Sequence, residues 1–399
     1  MRRIGAQRRV LFVTLALNLS GQSVHIANLA KGLQRIGWET VVVAGDLASG
    51  EPLGAEFFRA RGVQPIEAPF RGWSPGPRYV LDQTRAAVAL RRTVTMVDPS
   101  VIHVHSATLV PLALYAARAR GAHRVIVTTL NNESIEKRKL QVARLATRLL
   151  PRALGDRVVA ISQEMEVIAV RDIGISQGRV RRIDYAHDDE YFRPPTSGER
   201  SEARKRLGLS PSDSVVCCVG RLEPRKNQAV VVRAIAALNR PEKPWRLLLA
   251  GSNISGYQKL LEDLATTLGV GTLVQFLGFT DPREVYWASD VNVLPSLEEG
   301  FGLAVTEGMS CGIPTIRSAS TAGATDQVEH GRTGFLVNPR RVEDVTEMIR
   351  QALGRADMSE AAVKYVRSRF TIDRMAEQVS RIYCEESSRA APGDSRLRH

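Results

Sequence analysis

The second half of the sequence contains a short segment that combines glycine with two cations. Residues 220–228 include Gly220, Arg221 and Lys226, and they stand between an apolar run and a helical pattern. Glycine allows the chain to turn tightly there, and two cations beside the N–H groups that begin a helix favour a phosphate. The segment therefore predicts a diphosphate site. The alternative is a solvated turn whose cations face water.

A second segment, residues 296–309, pairs acidic side chains with glycines. Glu299 lies beside Gly300 and Gly302, and Glu307 is expected in about the first turn of a helix, where a carboxylate suits the helix dipole. A glutamate that faces inward needs hydrogen-bonding partners, and a polyhydroxylated ligand supplies several. The alternative is a helix start with an acidic cap.

Two further glycines occupy turns of the same kind. Gly21 follows the first apolar run of the chain, and Gly251 follows the run WRLLLA. Each one alone is weak support for a ligand site, because glycine is common in turns of every kind. Whether either glycine contributes to a ligand site depends on the strands and helices around it.

Those elements alternate between short β-branched runs and longer helical patterns, as βαβ units around a parallel sheet do. The first helix is predicted over residues 23–36. The pattern predicts two series of strands, over residues 9–15, 39–44, 101–105, 124–129 and 157–161 and then over 214–219, 245–250, 273–277, 291–294, 313–317 and 334–337. Ligands of open α/β sheets bind beyond the carboxyl ends of the strands. We therefore expect two α/β domains that face each other across a cleft.

The domain boundaries follow from composition. The chain becomes polar and proline-bearing near residues 193–212, which indicates a linker. We expect an N-terminal domain, a C-terminal domain, a last helix and a disordered tail, over residues 1–193, 194–370, 371–386 and 387–399.

Composition and charge limit the classes of protein that remain. The 399 residues, of which 44% are apolar, suffice for two cores, and no apolar stretch approaches the roughly 20 residues of a membrane span. Four cysteines without metal-ligand spacing fit a cytoplasmic protein. Residues 1–195 carry +11 of the net charge of +13, which favours phosphorylated or membrane-surface partners. Nucleic acid is not expected as a partner, because no basic run is interleaved with aromatics.

A basic, amphipathic stretch over residues 136–152 is a candidate for peripheral contact with the inner face of the plasma membrane. The alternative is a solvated helix face. The arginine excess also has a simpler explanation, because only 8 of the 55 basic residues are lysines, and such a bias can reflect base composition.

Several segments, taken in order, resemble the C-terminal half of family 4 glycosyltransferases, which have the GT-B fold of two facing Rossmann-like domains. The resemblance is strong over residues 213–340 and looser over the first half and near the C-terminus. It is carried by GRLEPRKNQ, by LVQFLGFTDPREVYWASDVNVLPSLEEGFGLAVTEGMSCGIPTI and by TAGATDQVEHGRTGFLV. This order of segments is far more specific than any single glycine motif.

The resemblance implies a retaining enzyme that moves a hexosyl unit from a UDP- or GDP-sugar to a lipid-linked saccharide or a small-molecule acceptor. Arg221 and Lys226 match residues that hold the donor diphosphate. Glu299 matches the glutamate that contacts sugar hydroxyls, as a positioning group, and Glu307 matches the one that hydrogen-bonds the ribose. We take Arg221, Lys226 and Glu299 as the candidate catalytic residues.

The same resemblance implies that backbone and loop positions line the donor and that the last helix crosses back to the N-terminal domain. With the glycines already described, the expected donor-binding positions are Gly21, Gly220, Gly251, Phe279, Gly300, Phe301, Gly302 and Leu303. No cofactor and no metal are expected. The sequence contains no Asp-x-Asp motif, and fixed cations and helix N-termini can stabilise a leaving phosphate.

The sequence departs from the family pattern mainly in its first half. Asn131 stands where the family often has a histidine, and asparagine cannot titrate. His105 and Asn131 are the acceptor-side candidates. A metal site at His103 and His105 is an alternative, but it lacks Cys or carboxylate partners at ligand spacing. Asp326 stands in place of the usual glutamate.

Two other functions remain open at this point. GT-B proteins also include phosphorylases and nucleotide-sugar epimerases. The asparagine at position 131 would in turn suit a non-catalytic nucleotide-sugar-binding protein.

Overall fold

Two parallel sheets organise the chain, each with its own helices. The computed structural model describes residues 8–390 except 18–19, 46–52, 71–76, 119–124, 131–154, 241–243 and 254–255. The chain divides into two units, Met1–Ala186 together with Ile372–His399, and His187–Thr371. We call them unit 1 and unit 2. The first transition between them follows Ala186, earlier than the boundary at residue 193 that composition indicated.

Unit 1 contains a seven-stranded sheet whose described pairs are all parallel, in the order β3-β2-β1-β4-β5-β6-β7. Its strands are β1 Arg9–Thr14, β2 Glu39–Ala44, β3 Pro65–Glu67, β4 Val101–Val104, β5 Val125–Leu130, β6 Arg157–Ala160 and β7 Val180–Arg182. The described α-helices before residue 187 are α1 Gly21–Arg35, α2 Leu53–Arg59, α3 Pro77–Val97, α4 Val110–Ala117 and α5 Gln163–Val167, and a π-helical turn, Ile168–Asp172, follows α5.

Unit 2 contains a six-stranded parallel sheet in the order β10-β9-β8-β11-β12-β13. Its strands are β8 Ser214–Val219, β9 Trp245–Ala250, β10 Val274–Gly278, β11 Val291–Leu294, β12 Thr315–Ser318 and β13 Phe335–Val337. Its described helices are α6 Ser197–Arg206, α7 Gln228–Leu238, α8 Tyr257–Thr267, α9 Pro282–Ala288, α10 Leu303–Ser310, α11 Ala324–Gln327, α12 Val342–Ala352 and α13 Ala356–Arg369.

Both sheets reverse their strand order beside the first strand, and this reversal positions the site. In unit 1 it falls between β1 and β4, and in unit 2 between β8 and β11. Crossovers leave such a point in opposite directions, so the loops beyond the carboxyl ends of the two strands enclose a crevice. The prediction of two Rossmann-like parallel α/β domains is confirmed.

The inner strands of both sheets are mostly buried, which explains their continuous apolar runs. In β8, Cys217 and Cys218 point to opposite faces, and each packs into a different apolar cluster of unit 2. Sequence patterning missed β3 and β7, which are three-residue strands at the two edges of their sheet. Their sequences, PIE and VRR, contain charged residues and so form no apolar run, unlike FLV of β13, which is equally short.

The last helix, α14 Ile372–Ala390, belongs to unit 1. Trp38 Nε1 donates to Ser380 Oγ at 2.9 Å, and Arg157 pairs with Glu386 at 2.7 Å. Residues 387–390, which we expected in a disordered tail, are helical. Arg and Ala favour helices, and extending a helix is easier than starting one. The rest of the expected tail and residues 136–152 lie outside the described residues. Among those that are described, no helix is long and apolar enough to cross a membrane.

Gly32 of α1 tests how closely α1 and α14 approach. A Cβ atom there would lie 2.7 Å from Ala376 Cβ and from Ile372 Cγ2, so Gly32→Ala must push the helices apart. We expect a loss of about 1–3 kcal/mol in the free energy of unfolding, measured in urea. Gly21→Ala is the matched control, because its Cβ would meet nothing within 4 Å. Equal stability of the two variants would contradict the packing described here.

Candidate functional site

The candidate site of unit 2 is built from the two loops that leave β8 and β11. The β8 loop turns at Pro224–Lys226 and ends at Asn227, whose φ of 57° is left-handed. Asn227 Nδ2 donates to the carbonyl oxygen of Pro295 at 3.3 Å, and Leu297 N donates to the carbonyl oxygen of Arg225 at 2.8 Å. These bonds fix the two loops against each other at the strand reversal.

An ion pair between Lys226 Nζ and Glu299 Oε2 joins the same two loops. Their side chains are only 13% and 12% exposed. Burial raises the pKa of Glu299, but Lys226, Arg225 and Arg317 together outweigh it and hold the pKa below its usual value. Glu299 is therefore a carboxylate at neutral pH, able to accept hydrogen bonds but not to donate one.

Arg221 lies two residues after β8, in the same loop as Lys226. Its side chain is 30% exposed, and its guanidinium lies 3.4 Å from Glu223 Oε1, which Arg225 also approaches, at 2.8 Å. Gln228 Nε2, at the start of α7, donates to the carbonyl oxygen of Arg221 at 2.8 Å and so fixes its backbone. The loop thus presents its cations beside a helix N-terminus, an arrangement that suits an anion.

Two predicted glycines allow adjacent loops of unit 2 to touch. Gly220 and Gly251 have φ values of 149° and 150°, which side chains rarely tolerate. A Cβ atom on Gly251 would lie 2.1 Å from the carbonyl oxygen of Gly220. Gly251 N donates to the carbonyl oxygen of Gly278 at 2.8 Å, which ties the loops after β9 and β10. Phe279 follows Gly278 and is 53% exposed.

The segment before α10 offers a ligand its backbone and few side chains. Phe301 is buried and its ring packs edge-on against Phe370, with ring centroids 5.5 Å apart. Gly302 precedes α10 with a φ of 79° and lies beside Glu299, whose Cγ would be 3.2 Å from an added Cβ. Gly300 and Leu303 are also buried, and Gly300 N donates to Glu299 Oε1 at 3.2 Å.

Glu307 lies in the second turn of α10, one turn beyond the position where a helix dipole acts most strongly. Its side chain is 8% exposed and accepts a hydrogen bond from Tyr286 Oη at 3.0 Å. Burial raises the pKa of Glu307 to about 7, against the smaller lowering by Tyr286. The pKa values of the two glutamates of this segment therefore move in opposite directions, because Glu299 has cationic neighbours whereas Glu307 is buried beside the phenol of Tyr286.

The predicted residues of unit 1 are Gly21, His105 and Asn131. Gly21 is exposed at the start of α1, after the cap Ser20. His105 is fully buried and stacks on His103 with ring centroids 4.3 Å apart, and burial lowers its pKa to about 3. It is a packing group in this structure, so a direct acceptor contact would first require its exposure. Asn131 lies outside the described residues.

Sequence reasoning missed Tyr286 and Arg317. Nothing in the spacing connects Tyr286 with Glu307, because the contact forms only when α9 packs beside α10. Arg317 had a signal, a charged residue inside the apolar run IPTIRS of β12, where a parallel strand is buried on both faces. Among the residues that the structure describes, no three His, Cys, Asp or Glu side chains form a metal-binding group.

The raised pKa of Glu307 predicts how stability depends on pH. The protonated form is favoured in the folded state, so its contribution is complete below pH 4.5 and is lost as the pH rises to about 7. Glu307→Gln keeps an acceptor for Tyr286 and cannot ionise. Between pH 4.5 and pH 8 we expect it to gain up to about 3 kcal/mol in unfolding free energy relative to the parent.

Urea unfolding of unit 2 at both pH values measures this difference. Glu298→Gln, at an exposed glutamate of the same segment, is the control and should keep the parent's pH dependence. Parallel pH profiles for Glu307→Gln and the parent would show that the Glu307 carboxyl is not protonated in the folded state.

Comparison with known proteins agrees with this architecture. The model described as "Glycosyltransferase Family 4" matches residues 19–191, and "Glycosyl transferases group 1" matches residues 199–369. A D-inositol 3-phosphate glycosyltransferase from Rhodococcus jostii is 38% identical over 201 residues, which are 48% of this chain and 43% of that protein. This match thus covers less than half of that relative. The Corynebacterium aurimucosum protein of the same name is 28% identical over 93% of this chain and 92% of its own.

Solved structures show the same fold. The Anabaena protein Alr3699/HepE, crystallised with UDP and glucose, has a TM-score of 0.79 at 22% identity, covering 95% of this chain and 100% of its own. WaaG, a glycosyltransferase involved in lipopolysaccharide biosynthesis, has a TM-score of 0.69 at 14% identity, covering 94% and 99%. With both halves of the chain matched by the family models, the protein belongs to the family 4 glycosyltransferases and has the GT-B fold.

Proposed function

We propose that the protein is a retaining glycosyltransferase that moves a hexosyl unit from a UDP- or GDP-sugar to a small-molecule or lipid-linked acceptor. The observation that carries the proposal is the Lys226–Glu299 ion pair at the strand reversal of unit 2, in whose β8 loop Arg221 also lies. The pair brings together a cation for a phosphate and a carboxylate for sugar hydroxyls.

The diphosphate of the donor fits the loop after β8. Arg221, Arg225 and Lys226 offer more positive charge than Glu223 and Glu299 neutralise, and the N-terminus of α7, which has no side-chain cap, adds the positive end of a helix dipole. Anionic ligands bind where fixed cations and helix N-termini converge. The sugar then lies toward Glu299 and the backbone before α10, and the ribose toward Glu307.

The proposed transfer breaks the bond between the anomeric carbon and the diphosphate oxygen. Negative charge develops on the leaving diphosphate, where Arg221 and Lys226 stabilise it. The acceptor hydroxyl attacks from the same face, and the leaving phosphate oxygen takes its proton. Glu299 is held by Lys226 and by Gly300 N–H, which supports a positioning role and argues against a nucleophile.

The acceptor is proposed from charge and from the names of relatives. Residues 1–195 carry a net charge of +11, which suits a phosphorylated acceptor. Two relatives are named D-inositol 3-phosphate glycosyltransferase. We propose a phosphorylated polyol as the first acceptor class to test, with lipid-linked saccharides next. Gly21 of unit 1 is proposed to approach the donor diphosphate.

A thermal-shift screen of UDP, GDP and their sugars identifies the donor, because a ligand that binds only the folded state raises its stability. Transfer assays then use inositol phosphates, free inositol and lipid-linked saccharides, each with and without EDTA. Loss of activity in EDTA would overturn the metal-independent form of the proposal. Inversion of the anomeric configuration would overturn the retaining form.

Arg221→Ala tests the donor assignment. We expect kcat to fall about 10²–10³-fold, since removing one donor to a developing oxyanion costs that much. Arg246→Ala is the matched control, because Arg246 is an arginine of the same unit near the amino end of β9, paired with Asp213. Turnover near the parent value in Arg221→Ala would contradict the assignment.

The transfer assays also separate the other functions. Sugar release that depends on inorganic phosphate would identify a phosphorylase, and epimerised donor without acceptor would identify an epimerase. Tight nucleotide binding without donor consumption across the acceptor panel would identify a binding protein.

A further inference from the structure

Arg317 is a buried cation that the proposed function does not use. It lies on β12 with 1% of its surface exposed, and it is among the largest fully buried side chains of the described residues. A guanidinium stays protonated in proteins, so this charge is held inside unit 2. Burying a charge costs several kcal/mol unless hydrogen bonds and countercharges compensate for it. The partners of Arg317 therefore indicate what the charge holds in place.

The guanidinium joins two segments that follow strands of the sheet. On one side it donates to the carbonyl oxygen of Phe301 at 3.3 Å, in the segment that precedes α10. On the other side it donates to Thr321 Oγ1 at 2.7 Å, to the carbonyl oxygens of Ala322 and Gly323 at 3.1 and 3.3 Å, and to Gln327 Oε1. Arg317 thus fixes the backbone beside Glu299 against the start of α11.

Arg317 also acts on Glu299 through its charge. The cations that hold the pKa of the Glu299 carboxyl down are Lys226, Arg225 and Arg317. Glu299 and Asp326 in turn favour the charged form of Arg317, although burial lowers its pKa to about 10. Lys226 is the only one of these cations in direct contact with Glu299 among the described residues. A diphosphate that attracts Lys226 would weaken that contact.

We propose that Arg317 is a positioning residue of the donor site, which holds the backbone before α10, next to Glu299, in the shape that a donor nucleotide-sugar binds. The inference rests on the proposed function and extends it. It explains why a cation, and not an apolar side chain, occupies the core of unit 2 at this point. Arginine suits the position because its planar fork binds several carbonyl oxygens at once.

Arg317→Met removes both the charge and the hydrogen bonds. We expect the Kd for the nucleotide-sugar to rise about 10–100-fold, as for the loss of charged hydrogen bonds worth about 1.5–3 kcal/mol. We also expect the acidic limb of the pH profile of donor binding to move upward, because one of the three cations that lower the pKa of Glu299 is then missing. Arg317→Lys restores the charge, so it should restore the pH profile and only part of the affinity.

Met358→Ala separates this role from a merely structural one. Met358 is fully buried in α13 of the same unit, so its truncation should lower the Tm and leave donor affinity and the pH profile unchanged. Thr321→Val and Gln327→Leu each remove one partner of Arg317 and serve if Arg317→Met does not fold. Each should raise the Kd for the nucleotide-sugar about 3–10-fold, in proportion to one lost hydrogen bond.

The outcomes distinguish the inference from the proposed function. If the parent protein binds no nucleotide-sugar, both fail. Suppose that the parent binds a nucleotide-sugar. If the Arg317→Met protein folds and binds it equally well with the same pH profile, or if both partner variants do, only the inference fails. Effects on affinity and pH profile that Met358→Ala reproduces would also overturn it, because they would then follow from general destabilisation.

Discussion

The ion pair between Lys226 and Glu299 sets the conformation of the loops around it. Two charges with so little exposure are stable only when each has a partner, so the β8 loop and the β11 loop must meet. The left-handed Asn227 and its bonds across to Pro295 provide the backbone path that this meeting requires. The fold contributes the strand reversal between β8 and β11, which brings these loops together at one edge of the sheet.

The electrostatic surroundings of residues 296–309 differ between the two ends of this segment. Glu299 lies among cations and stays ionised, whereas Glu307 lies in an apolar setting with Tyr286 as its partner and is close to protonation at neutral pH. A ligand that donates hydrogen bonds to both would therefore meet one side chain that only accepts them and one whose protonated form both accepts and donates. Arg317 lies at the Glu299 end of the segment, where its guanidinium donates a hydrogen bond to the carbonyl oxygen of Phe301.

Much of the fold could be predicted from the sequence, because buried parallel strands are continuous β-branched runs and several begin and end where the pattern indicates. Strands β2, β8, β9 and β11 match their predicted ranges. The edge strands β3 and β7 are short and contain charged residues, so they show no apolar run. The loop residues of the candidate site could be selected by type and spacing, but Tyr286 and the contacts of Arg317 depend on helices and strands far apart in the chain.

The last helix has a consequence for how the protein is made. Unit 2 is one uninterrupted stretch, His187–Thr371, while the apolar core of unit 1 includes Met375, Val379 and Tyr383 of α14. During synthesis on the ribosome, the sheet with the candidate donor site is complete before the first-made sheet receives its final helix. Until α14 has been synthesised, the part of the unit 1 core that Met375, Val379 and Tyr383 contact stays uncovered. A premature stop near the C-terminus would consequently harm the half that was translated first.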